Sequence, residues 1–459
     1  MIKPVSVPFV ARCVAIVAAA LLIGACGGRE QPPHIFVISV DTLRADYLEP
    51  YGSGAAATPT ASRLAAEGTL FTRAVTPMGI TVPVHATLLT GLMPRIHGVR
   101  ANVHELAEDV PVVAERLGAH GYRSASILSL GMMNFISGLD RGFDHASDRA
   151  EQGRSFKRED AETLTLALDW IADQDGATPL FMLLHLYDVH SPHLPTEHTA
   201  MPPGYDGLLA DGISVETLYN ESQQLLDNPD DMAALRALYA GETASADERV
   251  GRFLDALEAQ GLLENAVVIF LADHGQGLGE NRYFGHGPTL EQTVLHVPLI
   301  IRDYRQRPAP ERISETVGLI DIAPTILSLA GLPHDELPGR DLAALPASAS
   351  PDEPLIYLSE VEQRSSQTEF RPEQFDDEAL AVYFDDYKLT ESDGETRLFR
   401  IDATWGQDIE PVELDRLHES LRIWLAERMQ DYREGVSEIQ RAELDDEAIE
   451  ALRSLGYIQ

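Results

Sequence analysis

Cysteine is almost missing from this chain of 459 residues: Cys13 and Cys26 are the only two, and both lie near the start. Everything after residue 26 therefore holds no disulfide, no zinc–thiolate centre and no cysteine nucleophile. Positive charge is scarce as well. There are 35 Lys and Arg against 73 Asp and Glu, a formal net charge of −38. Such a field repels nucleic acid and anionic membrane surfaces. No nucleic-acid partner is expected, and any anionic ligand would need cations supplied locally. Long apolar runs are lacking too. The stretch 14-VAIVAAALLIGA-25 falls short of the ~20 residues that span a bilayer. No segment recurs at the ~20–50-residue periods of solenoids or propellers.

What is present reads as a large globular protein. Hydrophobic residues make up 44% and charged residues 24%, enough for a sizeable core and too apolar for disorder. The length fits one large domain with an appendage, or two domains. Lys3 and Arg12 precede the apolar run 14–25, the pattern of a signal peptide covering residues 1–25. Cys26 follows Ile23-Gly24-Ala25, which resembles the lipobox of a bacterial lipoprotein. Lipidation at Cys26, a tether over 26–33 and export to the periplasm or cell surface are expected. Contact with a membrane would then run through the lipid anchor only.

Short apolar runs read as buried strands: 35-IFVISV-40, 123-RSASIL-128, 180-LFMLLHLY-187, 266-AVVIFLA-272 and 297-VPLII-301, then 355-LIYLS-359 and 380-LAVYF-384. Helical patterns fall between them at 58–68, 110–121, 160–174 and 239–261. The first two carry Pro near the start and Gly at the end. Alternating strands and helices give an α/β fold around a mostly parallel sheet. Residues 191–235 read as an insertion, 412–435 as an amphipathic helix packed on the core. A boundary near 343–354 separates a catalytic domain, 34–345, from a small C-terminal α+β subdomain, 346–459.

In open α/β sheets ligands bind beyond the carboxyl ends of the strands. Asp41, Asp188 and Asp273 each stand at such an end, with His190, His274 and His286 close behind. Clustered carboxylates repel one another unless a divalent cation joins them. Mixed carboxylate and imidazole donors suit zinc or manganese better than magnesium, and two such ions can activate a nucleophile and stabilise a leaving oxygen.

Several stretches in order then resemble the sulfatase family of the alkaline-phosphatase superfamily: 39-SVDTLRADYL-48, 58-TPTASRLAAEGTLFTRA-74, 81-TVPVHATLLTGLMPRIHGV-99, 187-YDVHSPH-193, 247-DERVGRFLDAL-257, 272-ADHGQGLGE-280, 284-FGHGPTLEQTVLHVPLII-301 and the closing 452-LRSLGY-457. The resemblance implies an alkaline-phosphatase-like α/β sandwich and hydrolysis of an anionic small-molecule ester. The chain departs from the family in two places. Sulfatases carry Cys/Ser-x-Pro-x-Arg where this chain has Thr81-Val82-Pro83-Val84-His85, and threonine cannot become the formylglycine that attacks sulfate. They also pair two aspartates where this chain has Asp41-Thr42, so one calcium ligand is missing.

Thr-x-Pro-x-His with a later Asp-His resembles the nucleotide pyrophosphatase/phosphodiesterase relatives. That resemblance implies Thr81 as nucleophile and two metal ions. One would be held by Asp41, Asp273 and His274 with Thr81 bridging, the other by Asp188, His190 and His286, with His193 an alternative to His190. His85 and His97 would orient the loop or the substrate. Arg44 would anchor the strand-end loop or touch substrate. A phosphate mono- or diester is the favoured substrate. A sulfatase acting without formylglycine, with one calcium, is the rival, and a non-catalytic binding protein is the reading from another class. Oligomeric state is not legible.

Overall fold

The computed structural model describes residues 31–441 apart from 131, 136, 148–156, 288, 309, 346–356, 362–378, 393, 402–408, 412–415 and 434–439. The signal segment with Cys26, the segment 346–354, the polar segment 362–378 and the closing 452–457 lie outside the described residues. Among the described residues, no helix is long and apolar enough to cross a membrane.

The central sheet is built from β1 (His34–Val40), β2 (Thr69–Val75), β3 (Arg123–Leu128), β4 (His145–Ser147), β5 (Leu180–Leu186), β6 (Ala266–Leu271), β7 (His296–Asp303), β8 (Glu311–Ile313) and β9 (Val317–Gly318). Its order is β8-β2-β7-β6-β1-β5-β3-β4, with β9 also pairing β2. Every pairing is parallel except the two made by β7, which runs antiparallel to β2 and β6. The sheet is thus mixed around one reversed strand. Strands β1, β5 and β6 are buried along their whole length, as parallel strands covered on both faces must be.

Residue parity along β1 sorts the helices to two sides. Phe36 meets Phe253 of the long helix α4 edge-on, with ring centroids 5.9 Å apart. Ser39, on the other face, meets His85 of helix α2. The helices that bear on the site are α1 (Pro59–Glu67), α2 (Thr81–Thr90), α3 (Asp160–Ala172) and α4 (Pro229–Ala259). Helix α4 begins ten residues before the pattern at 239–261. The Asn228 side chain accepts from the Asp230 amide and Pro229 sits at the first position, a start signal hidden inside the segment read as an insertion.

A second, antiparallel sheet follows: β10 (Tyr357–Val361), β11 (Ala379–Phe384), β12 (Tyr387–Ser392), β13 (Glu395–Ile401) and β14 (Ile409–Pro411). Helix α5 (Arg416–Arg433) lies on it, with Trp424 against Phe384 and Leu425 in a cluster with Leu380, Val382, Leu389 and Leu398. This sheet reaches the residues before α2: the Glu360 amide donates to the Pro77 carbonyl at 2.7 Å and the Ser359 hydroxyl to the Thr76 carbonyl at 2.6 Å.

One member of the family-like stretches has a structural task. The Asp247 carboxylate, on α4, accepts the amides of Thr60 and Ala61 at 2.9 and 2.8 Å. These are orphan donors of the first turn of α1, so the cap comes from a distant helix. Asp247→Ala would strand two buried amides and is expected to cost about 1–3 kcal/mol. Asp247→Asn, which keeps an acceptor, should lose less. Denaturant midpoints of the three proteins check this, and equal midpoints would remove Asp247 from the cap.

Candidate active site

Strand β1 lies between β5 and β6, and all three run parallel. Their carboxyl ends therefore open at one edge, which brings Asp41 and Asp273 together from opposite ends of the sequence. Both are fully buried. Asp273 Oδ1 accepts the amides of Thr42 and His274 at 3.2 and 2.8 Å. Thr42 is held at φ 58°, a conformation that a β-branched residue rarely adopts. Its carbonyl accepts the Tyr239 hydroxyl at 2.6 Å, and that same oxygen accepts the Arg44 amide at 2.9 Å. Helix α4 thus fixes the loop after β1 from below.

Thr81 is the first residue of α2, and every residue of that helix is buried. Pro83 sits in the first turn, where no backbone donor is lost to the helix, and Gly91 closes it at φ 70°. Thr81 Oγ1 stands 3.4 Å from Asp41 Oδ2 and 3.4 Å from His274 Nε2. His274 Nε2 is in turn 3.5 Å from Asp273 Oδ2 and 3.9 Å from Asp41 Oδ1. The set Asp41, Asp273, His274 and Thr81 is brought together by the fold.

Three histidines share one tautomer. Nδ1 faces a backbone carbonyl in each: Gly275 for His274 at 3.0 Å, Ser191 for His190 at 2.7 Å, Gly79 for His286 at 3.2 Å. A carbonyl only accepts, so Nδ1 carries the proton and Nε2 presents its lone pair inward. The His274 and His286 rings stack at 4.5 Å, and His190 Nε2 lies 2.8 Å from His286 Nε2. Two lone pairs at that distance need a proton or a cation between them.

Asp188 does not join this pair. Its Oδ2 is 3.0 Å from Arg249 Nη2, and its amide donates to Asp160. The set Asp188, His190 and His286 is corrected to the two histidines alone, because an arginine on α4 neutralises the carboxylate. His193 points elsewhere, with Nδ1 2.7 Å from Glu242 Oε2 and Nε2 2.7 Å from Gln276 Nε2. Arg44 binds Asp46, Glu280 and the Gln276 carbonyl, which makes it a strap for the strand-end loop. His97 is enclosed by the Thr87 hydroxyl and the Val99 amide; it orients the loop after α2.

Two residues escaped the sequence reading. His185 stands inside β5, fully buried, with its Nε2 3.4 Å from Asp41 Oδ2. Its signal was one polar residue in the apolar run 180–187. Lys157 Nζ lies 5.0 Å from the Tyr187 ring centroid, and His190 stacks on the same ring at 4.3 Å. Its charge eases ionisation of Asp41.

The electrostatics fit a bound cation. Burial pushes Asp41 up to about 6 and raises Asp273, which also feels the Asp41 charge. Burial lowers His85 and His185 to about 4 and His190 well below the usual range, so these imidazoles stay neutral, the ligating form. Asp41 Oδ1 and Asp273 Oδ2 are buried without a hydrogen-bond partner. Orphaned carboxylate oxygens beside an imidazole lone pair make a donor set for a divalent metal.

Comparison with known proteins agrees with this architecture. The family model "Sulfatase" matches residues 33–332. An arylsulfatase from Clostridium perfringens is 24% identical over 65% of this chain and 75% of its own length. Arylsulfatase K of Xenopus laevis is 26% identical over 58% of this chain, which spans 57% of that relative's length. Among solved structures, the phosphonate monoester hydrolase of Agrobacterium radiobacter superposes with a TM-score of 0.70 at 21% identity, covering 88% of this chain and 95% of that one. With its motifs in order, its α/β sandwich and a family match covering most of its length, the chain belongs to the sulfatase family.

Proposed function

We propose that this protein hydrolyses an anionic ester, preferably a phosphate mono- or diester, by in-line attack of Thr81. One observation carries the reading: a helix-entry hydroxyl lies 3.4 Å from both a buried carboxylate and an imidazole lone pair. A hydroxyl is a weak nucleophile until a base or metal lowers its pKa. A zinc- or manganese-like ion held by Asp41, Asp273 and His274 would lower it here and would polarise the ester.

The chain's own residues supply the rest. Thr81 Oγ1 loses its proton to solvent as it forms the bond to phosphorus, the ester oxygen departs and takes up a proton from water, and a water molecule then releases the phosphoryl group and returns the Thr81 hydroxyl. The helix entry favours the anion through its dipole. His190 and His286 share one proton across 2.8 Å, taken up with the anion because burial disfavours the charge otherwise. Lys157, beside Tyr187, adds positive charge that is felt at Asp41. The rival substrate is a sulfate ester, which the names of the curated relatives favour. Against it stand Thr81, which cannot become formylglycine, and Thr42 in place of a second aspartate. As part of the same reading, Cys26 anchors an exported enzyme to a bacterial membrane by lipid alone.

Thr81→Ala is expected to lower turnover of an aryl phosphate or bis-aryl phosphate by at least about a thousandfold, with Thr81→Ser retaining part of it. Steady-state rates on aryl phosphate, bis-aryl phosphate and aryl sulfate check this. Turnover confined to the sulfate would overturn the choice of phosphorus, and equal rates for wild type and Thr81→Ala would remove the nucleophile. A second expectation concerns the ion. Dialysis against a chelator should abolish turnover, and zinc or manganese should restore it. Recovery with calcium alone would favour the sulfatase rival.

A further inference from the structure

The second ligand set read from the sequence is incomplete once Asp188 pairs with Arg249. A complete one lies on the other side of Asp273. Donor atoms of His85, His185 and Asp273 all fall within 4.8 Å of one another, and all three residues are buried. The elements dictate the meeting. Ser39 of β1 pairs in register with His185 of β5, so both side chains point to the face covered by α2. His85 lies one helical turn after Thr81 on α2 and reaches that same face, its ring edge-on to His185 at 5.0 Å.

Several buried atoms here want a partner. Neither His185 nitrogen has a hydrogen bond, and neither does Asp273 Oδ2. A buried imidazole without a hydrogen bond is costly, and His185 has only the 3.4 Å approach of Asp41 Oδ2; an apolar residue would fill this position in β5 without that cost. The spacing suits a metal. Bonds of about 2.0–2.1 Å in a tetrahedral site put ligand atoms roughly 3.4 Å apart. Among the three ligands, His85 Nδ1 is 3.9 Å from Asp273 Oδ2, and all three donor atoms fall within the 4.8 Å already given.

We propose that His85, His185 and Asp273 hold a second zinc-class cation behind the nucleophile, with Asp273 shared between it and the ion beside Thr81. The proposal rests on the site of the proposed function and adds an ion where the sequence placed none. His85 has what a ligating histidine needs on its far side. Its Nε2 is 3.1 Å from the Ser39 hydroxyl, so with the ion at Nδ1 the imidazole proton sits on Nε2 and donates to Ser39. Without the ion, Nδ1 donates to the Thr81 carbonyl at 2.8 Å. Occupancy would therefore release the carbonyl of the nucleophile itself from the His85 ring, tying the geometry of α2's first turn to the buried ion.

The test is metal stoichiometry, not activity. Full-length protein is stripped with chelator, reloaded with zinc, freed of excess and analysed for zinc per chain by mass spectrometry. Wild type should hold two. His185→Leu and His85→Gln should each hold one, Asp41→Asn should lose the ion beside Thr81, and His286→Ala should keep two. Circular dichroism confirms that each variant is folded, and the milder His85→Gln carries the test if His185→Leu is not. Two ions in His185→Leu, or loss of one in His286→Ala instead, would overturn the proposal by placing the second ion at the His190–His286 pair. One ion in wild type, lost in Asp41→Asn, would sink the second site and leave the Thr81 site standing. No ion in wild type would remove both.

Discussion

The structure depends on two carboxylates kept out of water at the ends of adjacent parallel strands. Asp41 and Asp273 are both fully buried; burial raises the pKa of each, and Asp273 is raised further by the Asp41 charge. Among the described residues, no arginine or lysine forms an ion pair with them as Arg249 does with Asp188. The surrounding protein instead offers amides to one oxygen of Asp273 and leaves the other bare. That asymmetry explains why Thr42 is held at φ 58°: only in that turn does its amide face Asp273. Tyr239 then supports Thr42 from α4. The strain is local and the support distant, the usual distribution around a reactive site.

Much of this was legible in the sequence because it obeys local rules. Apolar runs marked β1, β5, β6 and β7, and the aspartates after the first and third of these fell at one edge because parallel strands share a direction. The helix start at Thr81 was written in Pro83 and Gly91. What was not legible depended on register and pairing. The sequence of β7 does not encode its antiparallel direction; that follows from β2 and β6 taking it between them. Asp188 looked equivalent to Asp41 because both end an apolar run. Its neighbour Arg249 lies 61 positions away on α4, and nothing local signals that pairing. His185 was lost inside an apolar run for the same reason: its importance comes from lying opposite Ser39.

Charge bears on how the site meets a substrate. A protein at −38 repels anions at long range, so capture must be arranged at contact distance. In the proposed reading, Lys157, the His190–His286 pair and the entry of α2 would serve that purpose. The remaining buried imidazoles stay neutral, His85 and His185 near 4 and His97 near 3. In the proposed reading, positive charge would appear at the His190–His286 pair only when it takes up a proton with the anion, and the layer behind would stay neutral.

The two departures from the sulfatase pattern make sense only together. Where the family carries arginine this chain has His85, which burial keeps neutral, so one permanent positive charge is gone. Where the family carries a second aspartate this chain has Thr42, so one negative charge is gone. The site keeps the same net charge while exchanging an oxygen donor and a guanidinium for a hydroxyl and an imidazole. A harder ion such as calcium loses a ligand by this exchange, and a nitrogen-seeking ion gains one. In the proposed reading, a shift in metal preference would follow the same direction as the use of Thr81 in place of a modified cysteine. A threonine needs a stronger metal activator than an aldehyde hydrate does, and His85 and His274 are the residues that would supply the ligand field for one.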